Sequence, residues 1–153
     1  MNSGADFSSC RRWRYRLWRQ WADGPTLVVI GLNPSTADES TDDPTIRRCI
    51  RFARDWGYGR LEVLNLYAWR ATRPEDLFRA ADPEGPDNRR WLLQRGGRAA
   101  MRLAAWGNHG ATSPLLPWIR RQLAPLHCLA LNRTGQPAHP LYQPANRRPQ
   151  PFA

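Results

Sequence analysis

Four short apolar runs punctuate the chain, and each one ends in polar residues. Leu27-Val28-Val29-Ile30 stops at Gly31 and empties into Asn33-Pro34-Ser35-Thr36; Leu61–Leu66, Ala99–Trp106 and Leu126–Leu131 repeat the format. Unbroken apolar runs suit strands buried on both faces of a parallel sheet, which predicts strands near 26–31, 61–66, 100–106 and 126–131. Between them the apolar residues return at helical spacing. Ile46, Cys49, Ile50, Ala53 and Trp56 mark a helix over 44–56, with Asp43 as N-cap, Pro44 at the first helical position and Gly57 as terminator. Thr72-Arg73-Pro74-Glu75 reads as a capping box for a short helix toward Phe78; a longer helix follows over 87–98, and Ser113-Pro114 opens another toward Ala124.

Upstream, Trp13, Tyr15 and Leu17 alternate with Arg12, Arg14 and Arg16, the period of a strand with one apolar and one cationic face. Asp23-Gly24 is a hairpin signal that would pair this strand antiparallel with 26–31. After it the order is β-α-β-α-β-α-β, with connections long enough for right-handed helical crossovers. The expectation is therefore an α/β fold, a three-layer sandwich. It has a four-stranded, mainly parallel sheet plus an N-terminal antiparallel edge strand. A single domain spans 11–145, between a flexible tail at 1–10 and an irregular tail at 146–153.

Composition adds a partner. The formal net charge is +10, and all 23 basic residues are Arg. Such a surface attracts polyanions, and Arg grips phosphate bidentately and stacks on bases. DNA is the expected partner, and the cationic face offers Arg14 and Arg16 for phosphate, with Arg47 and Arg48 on the first helix. A solvated edge strand whose arginines block aggregation explains the same face equally well. The three cysteines, Cys10, Cys49 and Cys128, are scattered without metal spacing, so no metal or cofactor is expected. No apolar run approaches the roughly 18 residues of a membrane span. With no secretion signal at the start, a cytoplasmic monomer is expected.

The polar punctuations are Gly31-Leu32-Asn33-Pro34, Asn65, Trp106-Gly107-Asn108-His109 and His139-Pro140. In order and approximate spacing this set resembles the uracil-DNA glycosylase superfamily over about 27–143. A bacterial and phage family of unknown function is more similar still, with Leu-Asn-Pro-Ser-Thr-Ala-Asp, Asp-Pro-Thr, Asn-Leu-Tyr-Ala-Trp-Arg-Ala-Thr, Trp-Gly and His-Pro-Leu-Tyr, all present here. The glycosylase resemblance implies a water-positioning Asn33, a Leu32 whose backbone helps hold the base, a base-reading Asn65 and a leaving-group His139. His109 matches a histidine of the third motif. Ser35 stands where strict uracil enzymes have Tyr, and Leu141-Tyr142 replaces a Ser-Pro, so uracil strictness and the usual phosphate contact do not follow.

The residues themselves suit that chemistry. An enzyme acting on a DNA base must take it out of the stack, hydrogen-bond its edge, place a water and stabilise the departing anion. An amide such as Asn65 donates and accepts in one plane. Asn33 orients water without being a base, so Asp38 is the rival water activator, with loop structure as its other reading. Arg70 lies close enough after Asn65 to reach the same rim, either for phosphate or for a surface ion pair. The functional expectation is recognition of a base in DNA with hydrolytic removal of an altered pyrimidine. The alternatives are a non-catalytic module for a modified base and an enzyme of free nucleotides.

Overall fold

The computed structural model describes all residues, 1–153. One mixed sheet of seven strands runs through it: β1 (Asn2–Phe7), β2 (Arg14–Gln20), β3 (Thr26–Gly31), β4 (Arg60–Asn65), β5 (Met101–Ala104), β6 (His127–Cys128) and β7 (Gln150–Pro151), in the order β1-β2-β4-β3-β5-β6-β7. β4, β3, β5 and β6 pair in parallel, and antiparallel strands extend the sheet at both ends. Four helices complete it: α1 (Pro44–Asp55), α2 (Pro74–Arg79), α3 (Asn88–Gly96) and α4 (Leu116–Leu123).

The apolar residues of the central strands divide by parity. Leu27, Val29, Leu61 and Val63 pack against Ile46, Cys49, Phe52 and Ala53 of α1. Val28, Ile30 and Leu64 pack on the opposite face against Leu77 of α2, Leu92 of α3, and Ile119 and Leu123 of α4. Both faces being covered is why these strands read as unbroken apolar runs. The acidic residue within β4, Glu62, is buried and its charge is balanced: its carboxylate accepts from Arg16, Arg60 and Arg95. Burial opposes its charge, but the hydrogen bonds from Arg95 and Arg16 prevail and hold its pKa below the usual range.

Several expectations need correction. Residues 2–7 are a strand rather than a loose tail, and Gln150–Pro151 pairs with β6 where an irregular tail was expected. β2 is not an edge strand and does not pair with 26–31. It lies between β1 and β4. The Asp23-Gly24 connection is no tight hairpin because it passes over the start of β4. Trp21 and Ala22 donate to the Gly59 carbonyl, and Gly59 donates to Pro25. A Cβ at Gly59 would lie 2.6 Å from the Ala22 and Asp23 carbonyl oxygens, so only glycine lets the two chains cross. The expected capping box of α2 does not form, as Arg73 occupies the cap without a side-chain bond. The α1 cap forms as expected: Asp43 Oδ1 accepts from the Ile46 N–H at 2.9 Å. No helix is long and apolar enough to cross a membrane.

Candidate functional site

The chain leaves β3 through α1 on one face and reaches β4 on one side, while β5 joins β3 on the other. In open α/β sheets that divergence opens a crevice at the carboxyl ends of the strands, where ligands bind. Here it holds a cleft of about 660 Å³, within the roughly 300–1,000 Å³ usual for small-molecule sites. Its walls come from the 31–36 loop after β3, Asn65 at the end of β4, the 105–109 turn after β5, residues 138–143, and the first turn of α1.

Asn65 is set into the floor beside Gly31, its partner in register. Its Oδ1 lies 3.0 Å from where a Gly31 Cβ would stand. Its backbone is fixed from behind by Asn88, whose buried Nδ2 donates to the Asn65 and Leu66 carbonyls at 2.9 and 3.2 Å. Asn65 as a whole is 3% exposed, and its side-chain Nδ2 meets no acceptor. Buried amide donors are rarely left so. Asn33 is half-buried nearby. Its Nδ2 donates to the Pro34 and Ala71 carbonyls at 3.0 and 2.8 Å, tying its loop to the segment after β4. No protein donor reaches its Oδ1, which leaves an acceptor able to orient water.

Arg14 enters the cleft through an irregularity that its sequence pattern concealed. Across β1, Asp6 faces Arg16 and Phe7 faces Arg14, so Tyr15 is an extra, bulged residue. The bulge puts Tyr15 and Arg16 on the same side. Tyr15 stacks on Trp91 of α3, and Arg16 reaches Glu62. Arg14 is thereby turned to the opposite face, where it is 2% exposed and lines the cleft. It was expected on a solvent-facing cationic strip. Its only side-chain bond is from Nη1 to the Ala37 carbonyl at 3.2 Å, and its buried Nε has no partner. Burial lowers its pKa to about 10, against the opposing pull of Asp43.

His139 is carried by a segment pinned across the β5 turn. Trp106 Nε1 donates to Gln136 Oε1, Gly107 N–H to the Pro137 carbonyl, and Asn132 Nδ2 to Asn108 Oδ1. Gly107 has φ +70, a conformation that favours glycine. His139 Nδ1 accepts from the Leu141 N–H at 3.2 Å, so the proton of the neutral ring sits on Nε2. Burial lowers its pKa, with Asp43 opposing, which favours that neutral donor form. Asp43 is the one carboxylate on the cleft wall. Read from sequence, it was only a helix cap. Its chemical position was missed because nothing local shows that this helix begins at the sheet's crevice. Cys49 also lines the cleft, but burial, with Asp43 adding, pushes its thiol up to about 12, too high for a nucleophilic thiolate.

Leu32 and Ser35 stand half-buried in the first loop, His109 lies exposed at the rim, and Tyr142 is 84% exposed beside the His139 ring. The other candidates fall outside this cleft. Asp38 Oδ1 accepts from the Ser40 and Thr41 N–H groups, which hold its carboxyl below the usual range, in a turn away from the cleft. Arg16 is paired to Asp6 and Glu62. Arg70 lines a neighbouring depression with Arg11, Arg12 and Trp69, and donates to the Ser35 and Arg11 carbonyls. Arg47 is exposed on α1, and Arg48 donates to the Gln143 carbonyl, bracing the 140–143 segment.

A family model described as "Protein of unknown function (DUF1643)" matches residues 14–141. No curated protein and no solved structure matches the chain.

Proposed function

The chain belongs to the DUF1643 family, and from the geometry of its cleft we propose that it binds a nucleobase there and hydrolyses the N-glycosidic bond of an altered pyrimidine in DNA. The observation that carries this reading is the buried, unpartnered Nδ2 of Asn65, whose backbone Asn88 fixes from behind at the cleft floor. A pyrimidine carbonyl is an acceptor of the kind that amide lacks. Asn33 Oδ1 orients the attacking water, and Asp43 takes its proton as oxygen bonds to the sugar carbon. The glycosidic electron pair leaves with the base, whose developing anion accepts a hydrogen bond from His139 Nε2–H. Tyr142 at the rim is placed to stack on a neighbouring base, and the net charge of +10 favours a polyanionic strand.

A second reading, hydrolysis of a free nucleotide, is favoured by Arg14, since a cation inside the cleft suits a ligand that enters whole. One experiment tests both. Duplex and single-stranded oligonucleotides carrying altered pyrimidines, and the matching free nucleotides, are incubated with the protein and assayed by mass spectrometry for released base. Release from an oligonucleotide supports the DNA reading, and release from nucleotides alone supports the second. Release from neither at stoichiometric protein refutes the hydrolytic function.

A further inference from the structure

The fold contains two arginines buried to the same degree, and it treats them differently. Arg14 and Arg19 are each 2% exposed. Arg19 donates to Asp42 Oδ1 at 2.8 Å and to the carbonyls of Gly4, Trp18, Asp38 and Thr41, so its guanidinium is satisfied from all sides. Arg14 meets one carbonyl, has no carboxylate in an ion pair, and leaves its Nε–Nη2 edge without a protein acceptor. That edge is the side of a guanidinium that takes an oxyanion bidentately. The first turn of α1 lines the same cleft, through Pro44, Thr45 and Ile46. Asp43 caps the Ile46 N–H and offsets part of the helix start's positive charge, while the Thr45 N–H has no protein acceptor and stays open to an anion.

We propose that Arg14 and the first turn of α1 form an oxyanion receptor inside the cleft, and that its ligand is the phosphate monoester of a nucleotide. The proposal rests on the reading of the cleft as a base site, and within that reading it favours the free nucleotide over a base in DNA: the base meets Asn65 while the phosphate is drawn inward to Arg14. A flipped nucleotide in a DNA strand carries phosphodiesters that continue outward in both directions, whereas a terminal monoester can be enclosed. The bulge at Tyr15 is the device that makes the receptor. Without it, Arg14 would share the face of Arg16, where Glu62 already collects three arginines.

Calorimetric titration of the full chain with dUMP, dTMP and dCMP, with their nucleosides and with inorganic phosphate tests it. The wild-type protein is expected to bind at least one monophosphate about tenfold or more tighter than its nucleoside, as a charge-assisted bidentate contact implies. Inorganic phosphate competes, Arg14→Met loses the preference, and Arg14→Lys, which keeps the charge without the fork, regains only part of it. Equal affinity for nucleotide and nucleoside overturns the receptor and leaves the base site standing. So does a preference that survives in Arg14→Met. Binding of inorganic phosphate through Arg14, with no gain from any base, keeps the receptor and removes the base reading. Absence of any binding overturns both.

Discussion

Replacing each buried arginine by methionine should move stability in opposite directions. Both substitutions keep an unbranched stem of similar reach and remove the charge. For Arg14 the native state disfavours the charged form: burial lowers its pKa from the ordinary arginine value to about 10. At ~1.4 kcal/mol per tenfold change in the proton equilibrium, that depression corresponds to roughly 3–4 kcal/mol. The sign follows from proton counts. Between about 10 and the ordinary arginine value the unfolded chain holds a proton that the native state does not, so stability rises with pH across that window. Below it both states are charged, and the whole cost is present at neutral pH. Losing the Ala37 bond gives back about 1 kcal/mol, so Arg14→Met should stabilise by roughly 1–3 kcal/mol. A domain of this size gains ~2–4 °C in Tm per kcal/mol. Arg19→Met leaves Asp42 and four carbonyls without their donor, and should cost about 3–5 kcal/mol. The assay is urea unfolding at pH 7 in a buffer without phosphate or sulfate. Adding phosphate should then stabilise the wild type and not Arg14→Met, because only a state that binds the anion gains by mass action. If Arg14→Met is destabilised as much as Arg19→Met, the Arg14 guanidinium is a structural tie and the reasoning fails.

Three further outcomes check the remaining assignments. The His139 ring, followed by NMR through a pH titration, should have its midpoint below 6.5; because the unfolded chain takes that proton first, stability should fall as pH drops below about 6.5, and His139→Gln should flatten the slope. Gly31→Ala sets a methyl 3.0 Å from Asn65 Oδ1, so the fold should persist by circular dichroism while ligand affinity drops about tenfold or more from the displaced amide. Asp43→Asn keeps an efficient cap, so stability should change by less than about 1 kcal/mol while single-turnover base release falls by ~10²–10⁴; Asp38→Asn, outside the cleft, should leave release unchanged, and the reverse result would return the water-activating role to Asp38.

The parts of this molecule legible in sequence are those set by local physics. Burial on both faces wrote β3 and β4 as apolar runs, and Asp43-Pro44 marked the start of α1 at Pro44. The cleft's loops were legible too, because polar residues follow each run where the sheet ends. The outer strands were not. Asn-Ser-Gly-Ala-Asp-Phe carries no alternating pattern, and β1 exists through its pairing with β2. The partner of β2 was equally hidden. The Asp-Gly pair signals a turn but not its span, and here β4 occupies the place between β2 and β3 with Gly59 making room.

The face of Arg14 shows most clearly why the site was only partly readable. A strict period of two assigns Arg14 and Arg16 to one side, and a single bulged residue between them separates their fates. One becomes a member of the Glu62 ion cluster; the other becomes an unpaired charge on the cleft wall. Six buried side-chain atoms in the structure lack a partner, and two of them, Arg14 Nε and Asn65 Nδ2, belong to residues lining this cleft. Both are donors. A fold that satisfies Arg19 five times over and clamps Asn65's own carbonyl with Asn88 does not lack the means to satisfy them. Their missing acceptors are most simply those of a ligand, one that offers a carbonyl oxygen to the amide and an oxyanion to the guanidinium. A nucleotide carries both groups, and the crevice that opens at the ends of the parallel strands is lined by both donors.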